Sequence, residues 1–523
     1  MSINNRKPGR KGRVHAAQQS HEAQVIAVFL ALMTAMFVGS LDQTIVSTAL
    51  PTIAGELGGV DHMLWVSTAY MLASTIMMPL YGKFGDLFGR KYLFCGALVF
   101  FVAGSCVCGL VDSMGGLIAG RAVQGLGGGG LMILSQAIIA DIFPPAERGK
   151  YMGVMGASFG VSMIIGPLLG GFFTETLSWR WCFWVNVPLG LAALALCAWF
   201  LPHHPSDKQK AARIDIPGII AMAAATTCLI LVISWGGNVY DWGSPIILEL
   251  IGSCIVSALL FVAVERRADD PLIPLGPFKN RNFLLCTVAG LVIMIGMMGA
   301  ISYLPTYFQI VDGLGATAAG YMTLPMMGGM MVTSVVAGFV VAKMKSPKLL
   351  PPTSCLVCAA AFVLLAGITV DTTLVAMGVY LFILGFGAGL GQQVLVLVVQ
   401  NEFSVNIVGT ATSTNNFFRE IGGTIGTSLV GSLFTSQLSE QLSERLGELA
   451  QQAGGAMGQL LEIDPNSLTP ALVRSLPDAV KEAVKLAYND ALAPVFAVLV
   501  PLFIVAFVLL LFVKNRPLSH SND

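Results

Sequence analysis

Residues 64–111 read LWVSTAYMLASTIMMPLYGKFGDLFGRKYLFCGALVFFVAGSCVCGLV, two apolar runs on either side of a short polar stretch. The runs cover residues 64–81 and 91–111, and each is about as long as the roughly 20-residue helix that crosses the hydrocarbon core of a bilayer. The charged side chains all lie between the runs or at their edge: Lys83, Asp86, Arg90 and Lys91. The segment therefore predicts two membrane-spanning helices joined by a short polar loop.

The composition extends this prediction to the whole chain. Of its 523 residues, 55% are hydrophobic and only 11% are charged, with a mean hydropathy of +0.76. A soluble domain carries about 25% charged residues. The formal net charge is zero, so there is no electrostatic argument for a nucleic-acid partner. We therefore expect an all-α, polytopic membrane protein that binds no nucleic acid.

Apolar runs of spanning length recur along the chain, and we predict fourteen transmembrane helices. Placing the N-terminus inside puts 22 of the 29 Lys and Arg residues on the cytoplasmic side, as the positive-inside rule requires. Both termini are then cytoplasmic, and the protein lies in the plasma (inner) membrane as a multi-pass protein. The predicted spans cover approximately residues 25–50, 64–81, 91–111, 115–140, 151–174, 182–201, 216–234, 245–264, 283–311, 318–341, 349–369, 372–399, 410–436 and 491–513.

One segment between spans is unusually long. Residues 437–490 have helix-like spacing on both sides of a middle part that contains Gly and Pro. This pattern predicts a helical hairpin on the outer face of the membrane.

Patterns typical of enzymes occur only where their structural context is missing. GASFG (156–160) and GLGGGG (125–130) lie inside apolar runs, whereas the nucleophile elbow and the dinucleotide fingerprint each need a preceding strand. No G-x-x-x-x-G-K-[ST] loop for ATP is present. All six histidines lie outside the apolar runs, which argues against an intramembrane metal site. We expect no catalytic activity, no metal and no cofactor, with a proton gradient as the source of energy.

Charges inside the spans are the strongest functional signal, because each costs about 2.5 kcal/mol or more at the bilayer centre. At 1.5 Å per residue, Asp42 lies about 12 Å below the outer edge of the first span, and Arg121 lies about 9 Å below the same edge in the fourth. Gln124 is on the same helix face as Arg121. We predict that Asp42 and Arg121 form a pair. Glu420 lies near the midplane of its own span, one turn after Asn416.

Two interpretations of these charges remain open. A buried ion pair can serve only to fix the register of two helices. Alternatively, the carboxylate binds and releases a proton as the helices rearrange, because a nearby arginine favours its ionised form and burial without one favours its protonated form. The second interpretation makes Asp42, Arg121 and Glu420 proton-coupling residues.

Five segments together resemble the major facilitator superfamily. GKFGDLFGRK (82–91) is similar to its signature loop, and LIAGRAVQGLGGGG (117–130) to its fourth-span motif. GVMGASFGVSMIIGPLLGG (153–171) resembles the fifth-span motif of its antiporters. LDQTIVSTALP (41–51) and WRWCFWVNVPLG (179–190) are similar to segments of the fourteen-span drug:proton antiporters of the EmrB/QacA type.

The resemblance implies two six-helix bundles with two extra spans between them. The organisation would be a cytoplasmic tail (1–24), an N-terminal bundle (25–201), the extra pair (216–264), a C-terminal bundle (283–513) that includes the external loop, and a second tail (514–523). It also implies a cytoplasmic latch formed by Asp86, Arg90 and Asp141, and an antiporter motif that contains Gly166, Pro167 and Gly170.

The substrate is the least defined feature. Met and aromatic side chains suit varied apolar ligands, and a few carboxylates in an apolar cavity favour lipophilic cations. The residues that we expect to line the cavity are Gln43, Gln124, Tyr303, Tyr307, Asn416 and Arg419. The leading hypothesis is a proton-coupled multidrug exporter. The alternatives are an exporter of one natural metabolite, lipid or siderophore and, from another class, a membrane receptor or enzyme that does not transport.

The expected partners are the lipid bilayer, protons and a small lipophilic substrate. We expect a monomer, and the sequence leaves open whether a periplasmic adaptor takes part.

Overall fold

The computed structural model describes residues 10–58, 62–202, 214–237, 239–344, 348–452 and 470–517. Within these ranges the chain forms seventeen α-helices and one short 3-10 helix, Pro277–Lys279. The helices are α1 (Arg10–Leu57), α2 (Met63–Phe88), α3 (Arg90–Leu110), α4 (Met114–Ile142), α5 (Pro145–Thr176), α6 (Trp181–Trp184), α7 (Asn186–Phe200), α8 (Ile216–Trp235), α9 (Pro245–Glu265), α10 (Arg281–Ile310), α11 (Ala316–Tyr321), α12 (Leu324–Lys343), α13 (Leu350–Ala366), α14 (Leu374–Gln400), α15 (Val408–Gln452), α16 (Pro470–Ser475) and α17 (Asp478–Leu511).

Twelve of the described helical segments are long and apolar enough to cross a membrane. Each of the fourteen predicted runs overlaps a helix. The two that fall short do so for different reasons. α13 is apolar but has only 17 residues, whereas α15 has 45 residues and is more polar along its length. The chain is an all-helical membrane protein with twelve candidate spans, and the count of fourteen stays a prediction.

The predicted external segment is helical over most of its described residues, with a break between α16 and α17. α15 continues without a break to Gln452, and α17 begins at Asp478 rather than at the predicted span start of 491. The cause is an apolar stripe at every fourth residue of α15, which packs beside α17: Leu438, Leu442 and Leu446 are all buried. The middle of the predicted hairpin, 453–469, lies outside the described residues, as do the distal parts of both predicted tails, 1–9 and 518–523.

The chain divides into two compact units. The first contains residues 1–77, 84–143 and 165–212, and the second contains residues 78–83, 144–164 and 213–523. Within the first unit, buried side chains from α1, α4 and α6 form one core, in which the Trp179 and Phe183 rings meet edge to face. The predicted division into two bundles and an extra pair stays a prediction.

Glycines allow the helices of the first unit to approach closely. A Cβ atom added at Gly125 or Gly129 of α4 would collide with the backbone of α2, and one at Gly127 with the backbone of α3. The GLGGGG segment is therefore part of a helix packed against its neighbours, as its position in an apolar run indicates.

In the second unit, α10 packs against α15, and α14 packs against α12 and α13. Aromatic contacts join α13 to α17: the ring centroid of Phe362 lies 6.0 Å from that of Phe496 and 5.2 Å from that of Phe503, with the rings tilted against each other. α8 and α9 pair with each other, and α9 leaves most of its apolar surface outside the protein. Such a surface suits contact with lipid hydrocarbon.

Candidate functional site

Asp42 of α1 lies at the centre of a buried polar cluster in the first unit. The side chain is fully buried, and its Oδ2 atom is 2.5 Å from Nη1 of Arg121 on α4. Its Oδ1 atom accepts hydrogen bonds from Nε2 of Gln124 at 2.7 Å and from Nδ2 of Asn186 on α7 at 2.7 Å. The structure thus brings together the carboxylate and the arginine that helix depth alone places at one level.

Arg121 has further partners on its own and neighbouring helices. Its Nε atom donates to the carbonyl oxygen of Val66 at 3.1 Å, and Nη1 also donates to Oε1 of Gln124 at 2.7 Å. The ring of Tyr70 lies 4.3 Å from the guanidinium carbon and covers one face of it. A carboxylate, two oxygen acceptors and an aromatic face together offset the cost of burying this charge.

Three members of the cluster were missed by the sequence analysis. Asn186, Ser105 and Tyr70 contribute a donor to Asp42, a partner for Gln124 at 2.8 Å and the aromatic cover of the arginine. Only Asn186 had a signal in the sequence, because an Asn near the start of an apolar run is a polar residue in a predicted span. By contrast, Gln43 of α1 is exposed on another side of the helix, and its predicted place in the substrate cavity is not tested by this geometry.

The predicted latch is assembled in the first unit. Nη2 of Arg90 lies 2.8 Å from Oδ1 of Asp86, and Nη1 contacts both the Asp141 carboxylate and the carbonyl oxygen of Ala137. Gly89, between α2 and α3, has φ 89°, a left-handed conformation that suits glycine and allows the sharp change of direction. The ends of three helices are therefore tied at one arginine.

We expect Asp86→Asn to slow transport of every substrate by a similar factor, at least about tenfold. The reason is that Arg90 loses one of two carboxylates, and breaking a buried ion pair costs about 3–5 kcal/mol. The measurement is the initial rate of efflux for several dyes. Asp112→Asn is the matched control, because that carboxylate is 87% exposed and pairs with Arg180. A changed ranking of substrates in Asp86→Asn would contradict a purely conformational role.

The glycines of the predicted antiporter motif allow close packing of α5 in the first unit. A Cβ atom at Gly166 would collide with the side chain of Thr44, and one at Gly170 would meet the carbonyl oxygen of Ile45 at 2.8 Å. Pro167 lies inside the helix between these contacts. The first half of α5 has the same property in the second unit, where Gly149 and Gly338 face each other. Small residues thus allow the second half of α5 to pack on α1 within the first unit, and the first half to pack on α12 within the second unit.

A second polar group lies on α15 in the second unit. Nη1 of Arg419 donates to Oδ1 of Asn416 at 3.0 Å, and both side chains are buried. Glu420 is half-buried, and among the described residues its carboxylate has no hydrogen bond and no ion pair. The neighbouring Asn415 donates to Thr287 of α10 at 3.1 Å, which holds this part of α15 against α10.

The aromatic and Met candidates mostly belong to the core of the second unit. Tyr307 is buried, and its hydroxyl donates to Asn489 of α17 at 2.8 Å. Tyr303 is half-buried with its ring 5.6 Å from that of Phe434. Five methionines of α10 and α12 are also buried: Met294, Met297, Met326, Met327 and Met330. In this structure these side chains pack between helices, and their role in a cavity stays a prediction.

A buried carboxylate that contacts an arginine is favoured in its ionised form, and it binds a proton more readily when that contact is lost. Protonating Asp42 removes the negative charge that Arg121 contacts. The electrostatic attraction between α1 and α4 is then lost. The residues that the structure describes contain no group of three or more His, Cys, Asp or Glu side chains placed to hold a metal.

The chain is similar to known membrane transporters. MdtP of Bacillus subtilis, a multidrug transporter protein, is 35% identical over 92% of this chain and 89% of its own. The rubrofusarin-specific efflux pump aurT of Gibberella zeae is 31% identical over 77% of this chain and 76% of its own. The structure of the proton:xylose symporter XylE superposes with a TM-score of 0.62 at 13% identity, over 95% and 98% of the two chains.

A family profile covers most of the protein. The Major Facilitator Superfamily matches residues 32–427, which include the Asp42 cluster, the latch and Glu420. With relatives that export molecules and a fold shared with a symporter, the chain belongs to the Major Facilitator Superfamily of membrane transporters.

Proposed function

We propose that this protein is a proton-driven antiporter that exports lipophilic, mainly cationic molecules by alternating access. The observation that carries the proposal is the Asp42 carboxylate, which is fully buried and held by Arg121, Gln124 and Asn186. A charge in a membrane span is a functional candidate by default. Its partners come from α4 and α7, so any change at Asp42 acts on three helices.

The carboxylate has a defined response to a proton. In the ionised state Asp42 accepts three hydrogen bonds, one of them from a cation. A proton on Oδ2 faces the Nη1 donor of Arg121, so the short contact has to open. Proton uptake therefore favours a separation of α1 from α4, and closure favours release. This is the exchange that drives substrate export when the outer side is more acidic.

Glu420 supplies the site for the positive charge of the substrate. Its carboxylate is half-buried and, among the described residues, makes no hydrogen bond or salt bridge, although it interacts with the charge of Arg419, whereas the Asp42 carboxylate accepts three hydrogen bonds. An unpaired carboxylate in an apolar setting attracts a lipophilic cation or a proton, and the two compete. Competition of this kind couples binding of the cation to release of a proton.

The proposal includes the topology of the fourteen-span EmrB/QacA type. Both termini face the cytoplasm, and the protein lies in the plasma membrane. One observation supports fourteen rather than twelve crossings: α13 and α15 both lie where predicted spans lie. The Lys/Arg bias requires an even number, which fits both counts. The protein acts as a monomer without a cofactor, and the use of a periplasmic adaptor stays open.

A second candidate is an exporter of one natural metabolite. The likeness to a pump named for a single compound, rubrofusarin, favours it, whereas the likeness to MdtP favours a broad range. The transport class of the relatives argues against a receptor or an enzyme.

The test is uptake of ethidium into everted membrane vesicles. We expect uptake with an imposed proton gradient and loss of uptake when a protonophore collapses it. A panel of chemically unrelated dyes separates the two candidates, because a single-metabolite exporter transports few or none of them. Uptake that persists without the gradient would contradict proton coupling.

A further inference from the structure

The second unit contains a buried arginine with an unusual lack of partners. Arg419 is 3% exposed, almost as buried as Arg121 at 1%. Its only hydrogen bond in the described part of the chain goes from Nη1 to the amide oxygen of Asn416 at 3.0 Å. A guanidinium group carries five N–H donors. Most of the donors of Arg419 thus have no acceptor in the described structure.

Arg121 shows what a buried arginine normally requires. It has a carboxylate at 2.5 Å, an amide oxygen at 2.7 Å, a carbonyl oxygen at 3.1 Å and the ring of Tyr70 over one face. Arg419 has the amide oxygen of Asn416 as its one hydrogen-bond acceptor in the described residues, and it interacts with Glu420 only through their charges, without a salt bridge. Breaking a buried ion pair by removing one partner costs about 3–5 kcal/mol. Arg419 resembles one half of such a pair.

The neighbouring carboxylate does not supply the missing half. Glu420 follows Arg419 directly, which places the two side chains about 100° apart around an α-helix, and no ion pair joins them in the described residues. The stem of Arg419 instead packs over Gly290 of α10, where an added Cβ atom would lie 3.0 Å from Cγ of the arginine. The glycine leaves room for the arginine, which is held in place before any ligand binds.

We propose that Arg419 binds an acidic oxygen group, such as a carboxylate, on the exported molecule. The planar guanidinium fork matches a carboxylate in a bidentate geometry, and Asn416 sets its orientation from one side. With Glu420 as the site for a basic group, the second unit suits amphoteric molecules that carry one acidic and one basic group. This inference rests on the proposed export function and narrows its substrate class.

The test compares rhodamine B, which carries a carboxylate and a cationic ring system, with its ethyl ester, which lacks the carboxylate. Binding to purified full-length protein in detergent is measured by fluorescence anisotropy. We expect the wild type to bind the acid about tenfold more tightly than the ester, because a charge-assisted hydrogen bond contributes on this scale. Binding at equilibrium needs no gradient, so failure here is separable from failure of the vesicle test.

Two variants locate the effect. Arg419→Gln should remove the preference for the acid and leave binding of the ester within about twofold. Arg419→Lys keeps the charge but lacks the fork, so an intermediate preference is expected, and this variant decides the matter if Arg419→Gln does not fold. Glu420→Gln is the neighbouring control and should weaken binding of the ester while the preference for the acid persists.

Other outcomes would overturn the proposal. A wild type that binds acid and ester equally, or an Arg419→Gln variant that keeps the preference, would exclude recognition of the carboxylate by Arg419. Titration with a short-chain phosphatidylglycerol tests the other source of an acidic oxygen. If this lipid displaces rhodamine B from the wild type but has no effect on binding to Arg419→Gln, the arginine holds a lipid headgroup instead.

Discussion

Asp42→Asn should abolish active efflux while the protein still folds and binds substrate. Asparagine has nearly the same shape as aspartate and can still accept hydrogen bonds from Gln124 and Asn186, but it carries no proton to exchange. We expect the rate of gradient-driven ethidium transport in everted vesicles to fall by at least about a hundredfold, which corresponds to roughly 2.8 kcal/mol or more in the barrier. Facilitated movement down a substrate gradient can persist.

Proton release on substrate binding gives an independent measurement. Detergent-solubilised wild-type protein should release protons when it binds a cation in weakly buffered solution, and Asp42→Asn should release fewer, leaving only the protons that the cation displaces from Glu420. Asp112→Asn serves as the control, because that carboxylate is 87% exposed. Unchanged efflux and unchanged release in Asp42→Asn would reduce the pair to a structural role and leave Glu420 as the main coupling candidate.

Arg121→Ala should remove both transport and a measurable part of the stability. The change leaves a fully buried carboxylate without its cation, and such a loss costs about 3–5 kcal/mol. It also opens a space beneath Tyr70, whose ring lies 4.3 Å from the guanidinium carbon. We expect a clearly lower temperature of thermal unfolding in detergent and no gradient-driven efflux.

Two comparisons separate the effect of losing the Arg121 charge from the effect of losing its packing contacts. Arg180→Gln is the matched control, because Arg180 pairs with Glu56 and Asp112 at the surface, where ion pairs contribute about 0–1 kcal/mol. Its unfolding temperature should change little. In the Asp42→Asn/Arg121→Ala double variant, the loss should be smaller than the sum of the single losses, because neither charge is then left alone. Strict additivity would argue against a direct interaction of the pair.

The sequence alone determined where the helices lie, because an apolar run in lipid can satisfy its backbone polar groups only as a helix. The run 283–311 corresponds to α10 within two residues at the start and one at the end. Where the run is flanked by a sequence with its own helical period, as after residue 436, apolarity no longer marks the end of the helix. This is why α15 extends to Gln452.

The sequence also predicted the depth of each residue in the membrane, because the rise per residue of a helix is constant. This was sufficient to predict the contact of Asp42 with Arg121, on helices about 80 residues apart. It was not sufficient to identify Asn186 or Tyr70, since depth says nothing about which helices are neighbours or how each is rotated about its axis. Those two variables depend on the packing of whole helices against one another.

The tertiary structure showed which groups each of the two buried arginines contacts. In the sequence, Arg121 and Arg419 share a pattern, each a single cation in an apolar run with an amide residue three positions away, and helix depth predicted a carboxylate partner on another helix for Arg121 alone. In the folded chain Arg121 meets the carboxylate of another helix, whereas Arg419 meets the amide oxygen of Asn416 on its own. An ion pair forms only when two side chains lie close to each other. Whether they do depends on which helices are neighbours and on how each helix is rotated about its axis, and the local sequence determines neither.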